Sequence, residues 1–100
     1  MRIIAKRTLR LFWKSGSFHV AARTPLEDWY ARTAVADWAT PAELKANFGD
    51  ASILQDGRVV FNIGGNKFRL VVRINYHFQV VYVRFVGTHQ QYDRVDAQKI

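Results

Sequence analysis

Between Arg58 and Val86 apolar residues recur at about every second position, the period of a half-buried β-strand. Read as a strand, the middle segment sends Phe68, Leu70, Val72, Ile74 and Tyr76 to one face, and Lys67, Arg69, Val71, Arg73 and Asn75 to the other. A one-residue slip would bury the three cations of that segment, so the pattern fixes the register. The strand before it, 58–63, turns Val59, Phe61 and Ile63 inward and Arg58, Val60 and Asn62 outward. The strand after it, 80–86, sets Val81, Val83 and Phe85 against Tyr82 and Arg84. Gly64-Gly65-Asn66 joins the first pair with residues that tolerate positive φ, and His77 to Gln79 forms the second turn. The predicted unit is an antiparallel meander with one basic face.

Ahead of the meander the period becomes helical. Met1 to Ile4 predicts a short edge strand. From Ala5, Leu9, Phe12 and Trp13 make one stripe, with Lys6, Arg7, Arg10 and Lys14 around the rest and Gly16 as the stop. A loop follows over 15–23. Thr24-Pro25-Leu26-Glu27 and Thr40-Pro41-Ala42-Glu43 then repeat one grammar. In each, the threonine hydroxyl accepts from the amide three residues on, the proline needs no donor in the first turn, and the glutamate reaches back. Two helices are predicted, one with a Leu26, Trp29, Tyr30, Thr33 stripe and one with Leu44 and Phe48 before Gly49. Trp29, Tyr30 and Trp38 read as core aromatics. Asp56-Gly57 marks a turn ahead of the first long strand. No repeat, low-complexity tract or linker divides residues 1–100, so the expectation is one α+β domain, with a short N-terminal strand and helices packed on one face of a small antiparallel sheet.

Composition narrows what such a domain can do. A hydrophobic content of 49% with 14% aromatics excludes disorder. There is no cysteine, and the three histidines are scattered, so neither a disulfide framework nor a metal-ligand set is predicted, and a reducing cytoplasm is the expected setting. The N-terminal apolar residues are interrupted by Lys6, Arg7 and Arg10, which argues against a secretory signal. No run is long enough to span a bilayer, so no membrane role is expected. The net charge of +7 raises the prospect of a polyanionic partner. Its distribution sharpens that: no acid occurs between Asp56 and Asp93, where Arg58, Lys67, Arg69, Arg73 and Arg84 all fall.

The chemistry available is correspondingly limited. The single Gly-Gly pair is no phosphate-binding loop, no glycosidase carboxylate pair is suggested, and nothing points to an activated serine. What remains is a cationic face and the segment Thr88-His89-Gln90-Gln91-Tyr92-Asp93. That set suits metal-free RNA cleavage by the 2′-hydroxyl, with no cofactor. The attacking oxygen loses a proton, the phosphorane gathers negative charge and the leaving 5′-oxygen gains a proton. Fixed Arg and Lys side chains stabilise that charge, roughly 10²- to 10³-fold per donor by analogy with oxyanion holes. His89 is the nearby side chain whose type titrates closest to neutrality; the competing reading is that it packs or caps at a strand end.

The blocks VVFNIGGNKFRLVV and VYVRFVGTHQQYD, in this order and separation, resemble the HigB-type toxins, relatives of the RelE-like mRNA interferases. The resemblance covers the C-terminal half closely and the N-terminal half more loosely. It implies a compact RelE-like fold and a ribosome-dependent mRNA endonuclease that acts as a toxin and inhibits translation. It also implies a cognate HigA-type helix-turn-helix antitoxin. By position, Arg69 and Arg84 are expected to meet transition-state charge, and Lys67 to assist the nucleophile or bind phosphate. His89 is the expected acid or base, and Tyr92 stacks on a base or orients it. Asn62, Asn66 and Arg73 are the expected RNA contacts. Asp93 either orients His89 or begins the last turn.

The rivals are a non-catalytic RNA-binding module and a protein-interaction module that uses its charge to hold an acidic partner. A binder protects RNA without making new ends, and its affinity falls with salt at a slope of about −0.7 per neutralised phosphate on single strands.

Overall fold

The computed structural model describes residues 1–100. In chain order the elements are β1 (Arg2–Ile4), α1 (Lys6–Trp13), a 3₁₀ turn (His19–Ala22), α2 (Arg23–Ala34), α3 (Pro41–Asn47), β2 (Ser52–Ile53), β3 (Arg58–Ile63), β4 (Phe68–Asn75), β5 (Val80–Thr88) and α4 (His89–Tyr92). The expected α+β architecture is borne out. Five strands form one open sheet in the order β1-β5-β4-β3-β2. All pairings are antiparallel except β1 with β5, so the predicted edge strand makes the sheet mixed.

The alternation in β3 and β4 decides which side the helices cover. Val59, Phe61, Ile63, Phe68, Leu70, Val72 and Ile74 form the sheet half of the main core. Leu9, Phe12 and Trp13 of α1, Leu26 and Trp29 of α2, and Leu44 of α3 supply the other half. A run of edge-on aromatics binds these layers: Trp29 on Phe61 at 5.5 Å, Phe61 on Phe48 at 5.0 Å and Phe48 on Trp38 at 5.9 Å between ring centroids. Trp29 and Trp38 are buried, as expected of core aromatics, although Trp38 lies in the connection between α2 and α3 and not on a helix.

Three local expectations need correction. The first concerns β5. Val71 of β4 faces Phe85 while Val72 faces Val83, so Arg84 is an extra residue in β5. This bulge inverts the alternation beyond it. Phe85 therefore points away from the main core, and Val86 joins it. The second concerns α2. Residues 19–22 are already helical, so the N-cap is Ala22 with no side-chain cap, and Thr24 lies inside the first turn. Glu27 pairs instead with Arg23 at 3.2 Å. At α3 the threonine half of the grammar holds, while the glutamate reaches back one residue further than the threonine amide. Thr40 Oγ1 accepts from the Glu43 amide at 3.3 Å, and Glu43 Oε2 accepts from the Ala39 amide at 3.1 Å.

The third correction is to the basic face as an open surface. Val60 and Val71 are buried there beneath the C-terminal segment, which contributes Tyr92, Ala97 and Ile100, with Leu54 and Phe85 from the sheet side completing the cluster. Arg58 Nε ties this cover down by donating to the Ile100 carbonyl at 2.7 Å. No helix is long and apolar enough to cross a membrane.

Replacing Thr40 with alanine removes the cap while leaving the exposed face of α3 intact. The expected loss is about 1 kcal/mol in urea-induced unfolding, with Thr40→Ser near wild type. An alanine variant as stable as wild type would show that the Glu43 contact to Ala39 suffices.

Candidate catalytic cleft and cationic groove

Of the predicted site residues, Asn66, Lys67, His89, Arg73 and Arg84 divide between two concavities, and Asn62, Arg69 and Tyr92 line neither. The first is a cleft of about 380 Å³ lined by Phe18, Asn66, Lys67, Thr88, His89 and Gln90. Its floor is set by the turn between β3 and β4. Gly64 and Gly65 take φ of 62° and 68°, a region open to glycine at little cost, and the turn swings Asn66 and Lys67 toward the end of β5. The His89 amide then donates to the Lys67 carbonyl at 3.0 Å, which locks the two segments together through backbone alone.

At the same point β5 becomes α4. Thr88 Oγ1 accepts from the Gln91 amide at 3.1 Å, and Gln91 Oε1 accepts from the Thr88 amide at 2.8 Å, a complete capping box. Gly87 makes that fold-back feasible: a Cβ there would lie 2.6 Å from the Phe85 ring and 2.8 Å from Gln91 Oε1. The Thr-x-x-Gln spacing was the available sequence signal for this turn, in a segment where the sequence reading set catalysis by His89 against local capping.

His89 is exposed, and its Nδ1 lies 3.2 Å from Asp93 Oδ2, one helical turn on. Asp93 thus closes the turn and faces the imidazole as well. The exposed side chain of Lys67 makes no hydrogen bond or ion pair, so Lys67 lines the cleft as an unneutralised cation. Arg69 is different. Only 9% exposed, it donates from Nη1 to the carbonyls of Asn66 and Phe68 at 3.3 and 3.2 Å, and from Nη2 to Asn66 Oδ1 at 2.8 Å. Its charge braces the turn that presents Lys67. Asn62, half-buried, lies across the strand pair from Arg69. Tyr92 is half-buried against the Val60, Val71 and Ala97 cluster and does not line the cleft.

Arg73 and Arg84 lie elsewhere. With Arg58, Asp56, Tyr76 and Tyr82 they line a groove of about 650 Å³ toward the other end of the sheet. Arg73 Nε donates to the Asp56 carbonyl at 3.0 Å, and Arg58 lies 3.8 Å from the Asp56 carboxylate. Arg84, pushed out by the bulge, has no protein partner. Burial pushes the pKa of the Tyr76 hydroxyl, which lacks a hydrogen-bond partner, above its ordinary value. The concavities share no lining residue, so the groove adds cationic surface beyond the cleft.

Comparison with known proteins adds the following. Residues 22–95 match the family model described as HigB_toxin, the RelE-like toxic component of a toxin-antitoxin system. The chain is 40% identical over 55 residues to the mRNA interferase toxin HigB of Escherichia coli strain K12. It shows the same identity over the same length to the mRNA interferase HigB of Shigella flexneri and of Escherichia coli O157:H7. Each match covers 53% of this chain and 53% of the relative, so the chain spans about half the length of the curated relatives it matches.

Proposed function

This chain belongs to the HigB family of RelE-like toxins, and from that premise we propose that it is an mRNA endonuclease that arrests translation by cutting message on the ribosome. The observation that carries this reading is the convergence of an unpaired lysine and a carboxylate-backed histidine in one cleft. His89 presents Nδ1 to Asp93, so in the neutral tautomer with Nδ1–H donating to the carboxylate, Nε2 is the nitrogen free to accept a proton. In that tautomer His89 takes the proton of the 2′-hydroxyl as general base. The 2′-oxygen attacks phosphorus, the bond to the 5′-oxygen breaks, and that oxygen takes a proton from a solvent water while the proton held by His89 is released to solvent. The products are a 2′,3′-cyclic phosphate and a 5′-hydroxyl end.

Lys67 offsets the charge that gathers on the phosphoryl oxygens, and its lack of any carboxylate partner leaves that charge undiminished for the substrate. Arg69 acts through the turn it braces. Asn62, Arg73 and Arg84 bind RNA outside the reacting phosphate, and Tyr92 anchors the cover on the second sheet face. All 100 residues act as one toxin domain. A HigA-type helix-turn-helix antitoxin silences it in the bacterial cytoplasm, where ribosomes are met.

The test is induction of the chain in growing bacteria, alone and with the gene beside it, while mapping new mRNA 5′ ends by primer extension. Growth arrest with translation-dependent cuts bearing 5′-hydroxyls, relieved by the neighbouring gene, is expected. Unaltered mRNA ends during arrest would sink the nuclease reading and leave a basic docking module.

A further inference from the structure

We infer that Phe18 is the nucleobase platform of the cleft: its ring takes the face of a base next to the reacting phosphate, a proposal that rests on the RNA-cleavage reading above. Phe18 is the only apolar side chain lining the cleft, beside Lys67 and His89, and it is 56% exposed. A phenylalanine this exposed gains little from the core it borders. Singly exposed apolar residues are ordinary on protein surfaces. This one differs in its neighbours, because the groups around it are suited to a phosphate and its proton transfers, and a nucleotide also carries a flat apolar surface.

The ring is also held from behind. It lies 5.4 Å from the ring of Phe68, which is fully buried, and 6.2 Å from that of His19. His19 is fixed in turn by stacking on Phe12 at 4.4 Å and by its Nδ1 contact with Ser15 Oγ at 2.7 Å. An aromatic braced at its back with a free face loses little side-chain freedom when a base settles on it. Tyr92, the aromatic that the sequence puts forward for stacking, packs on the other sheet face and leaves this position to Phe18. Phe18 also lies outside the stretch 22–95 matched by the family model.

A phenyl ring offers no hydrogen bond, so the platform tolerates every base. Any preference among bases falls to the polar edges of Asn66, Thr88 and Gln90, which line the same cleft.

The experiment compares wild type, Phe18→Leu and Phe18→Tyr. Single-turnover cutting of a short mRNA on purified ribosomes is measured across toxin concentration, and binding is measured to a 2′-O-methyl oligonucleotide that cannot be cut, with all its bases or with one abasic site. Leucine keeps apolar contact with Phe68 but has no ring, whereas tyrosine restores one. Phe18→Leu is expected to raise the half-saturating concentration roughly 5- to 150-fold, the range for loss of one stacked base, with an unchanged melting temperature. Phe18→Tyr should recover most of it, and the leucine penalty should vanish on the oligonucleotide lacking the stacked base. Leucine behaving as wild type, tyrosine failing alongside it at equal stability, or an equal penalty at every abasic site would overturn the platform. Wild type that binds in this base-dependent way but cuts nothing would defeat the nuclease reading and leave the platform standing; wild type that neither binds nor cuts defeats both.

Discussion

His89→Ala is expected to slow mRNA cutting by roughly 10²- to 10⁴-fold, the range for losing a positioned acid or base, while the protein melts as wild type does. The fold is spared because the structural bond at this position runs from the His89 amide to the Lys67 carbonyl and survives any side chain. The imidazole itself is solvent-facing, and its one ionic neighbour is Asp93. Asp93→Asn should cost less, since it weakens orientation without removing the base. If Asp93 works through His89, the double variant should be no slower than His89→Ala alone. Single-turnover cutting on purified ribosomes, with melting curves for each variant, decides the matter. A fully active His89→Ala protein would remove His89 from the chemistry and shift the burden to Lys67.

Phe61→Ala produces the largest expected change in stability, about 3 to 5 kcal/mol. The ring is fully buried on the helix-covered face of β3 and meets Trp29 of α2 and Phe48 beyond α3 edge-on. Truncation leaves a void between three elements, and Phe48, whose other face carries the Arg32 guanidinium at 4.0 Å, is ill placed to collapse into it. Against a total of about 5 to 15 kcal/mol for a typical domain, much of the margin disappears. Urea unfolding measures it directly. A loss below about 1.5 kcal/mol would mean that the core relaxes around the gap. Comparison with His89→Ala then separates toxicity lost through chemistry from toxicity lost through unfolding.

The parts of the fold written in strict alternation were legible from sequence. In β3 and β4 each inward side chain was identified because any slip would bury cations. Legibility failed at β5, where one inserted residue shifts the phase and nothing in VVYVRFVG distinguishes a bulge from a regular strand. It failed again at Thr24, whose capping signal was overridden by helical residues before it. For the site, sequence alone brought Lys67, Asn66 and His89 into one list, and the cleft gathers them. It had no means of separating Arg69, whose charge is spent on the turn, from Arg84, which the bulge frees, because an arginine's letter says nothing of its partners. Phe18 was missed for a related reason: it sits in an irregular stretch without period, where neighbours come from tertiary contact alone.

The pairing of β1 with β5 governs the order of assembly. Arg2 to Ile4 precede in synthesis their hydrogen-bonding partners, Val80 to Tyr82, which follow only after α1–α3 and β2–β4. Such a contact forms late, because the whole intervening segment must be looped out before the two strands meet. Until then α1 and the segment bearing Phe18 have no completed sheet to pack against, and the cleft that needs both Phe18 and His89 does not exist. A chain in which β1 has not yet joined β5 thus lacks the assembled cleft, whatever secondary structure its separate segments have gained.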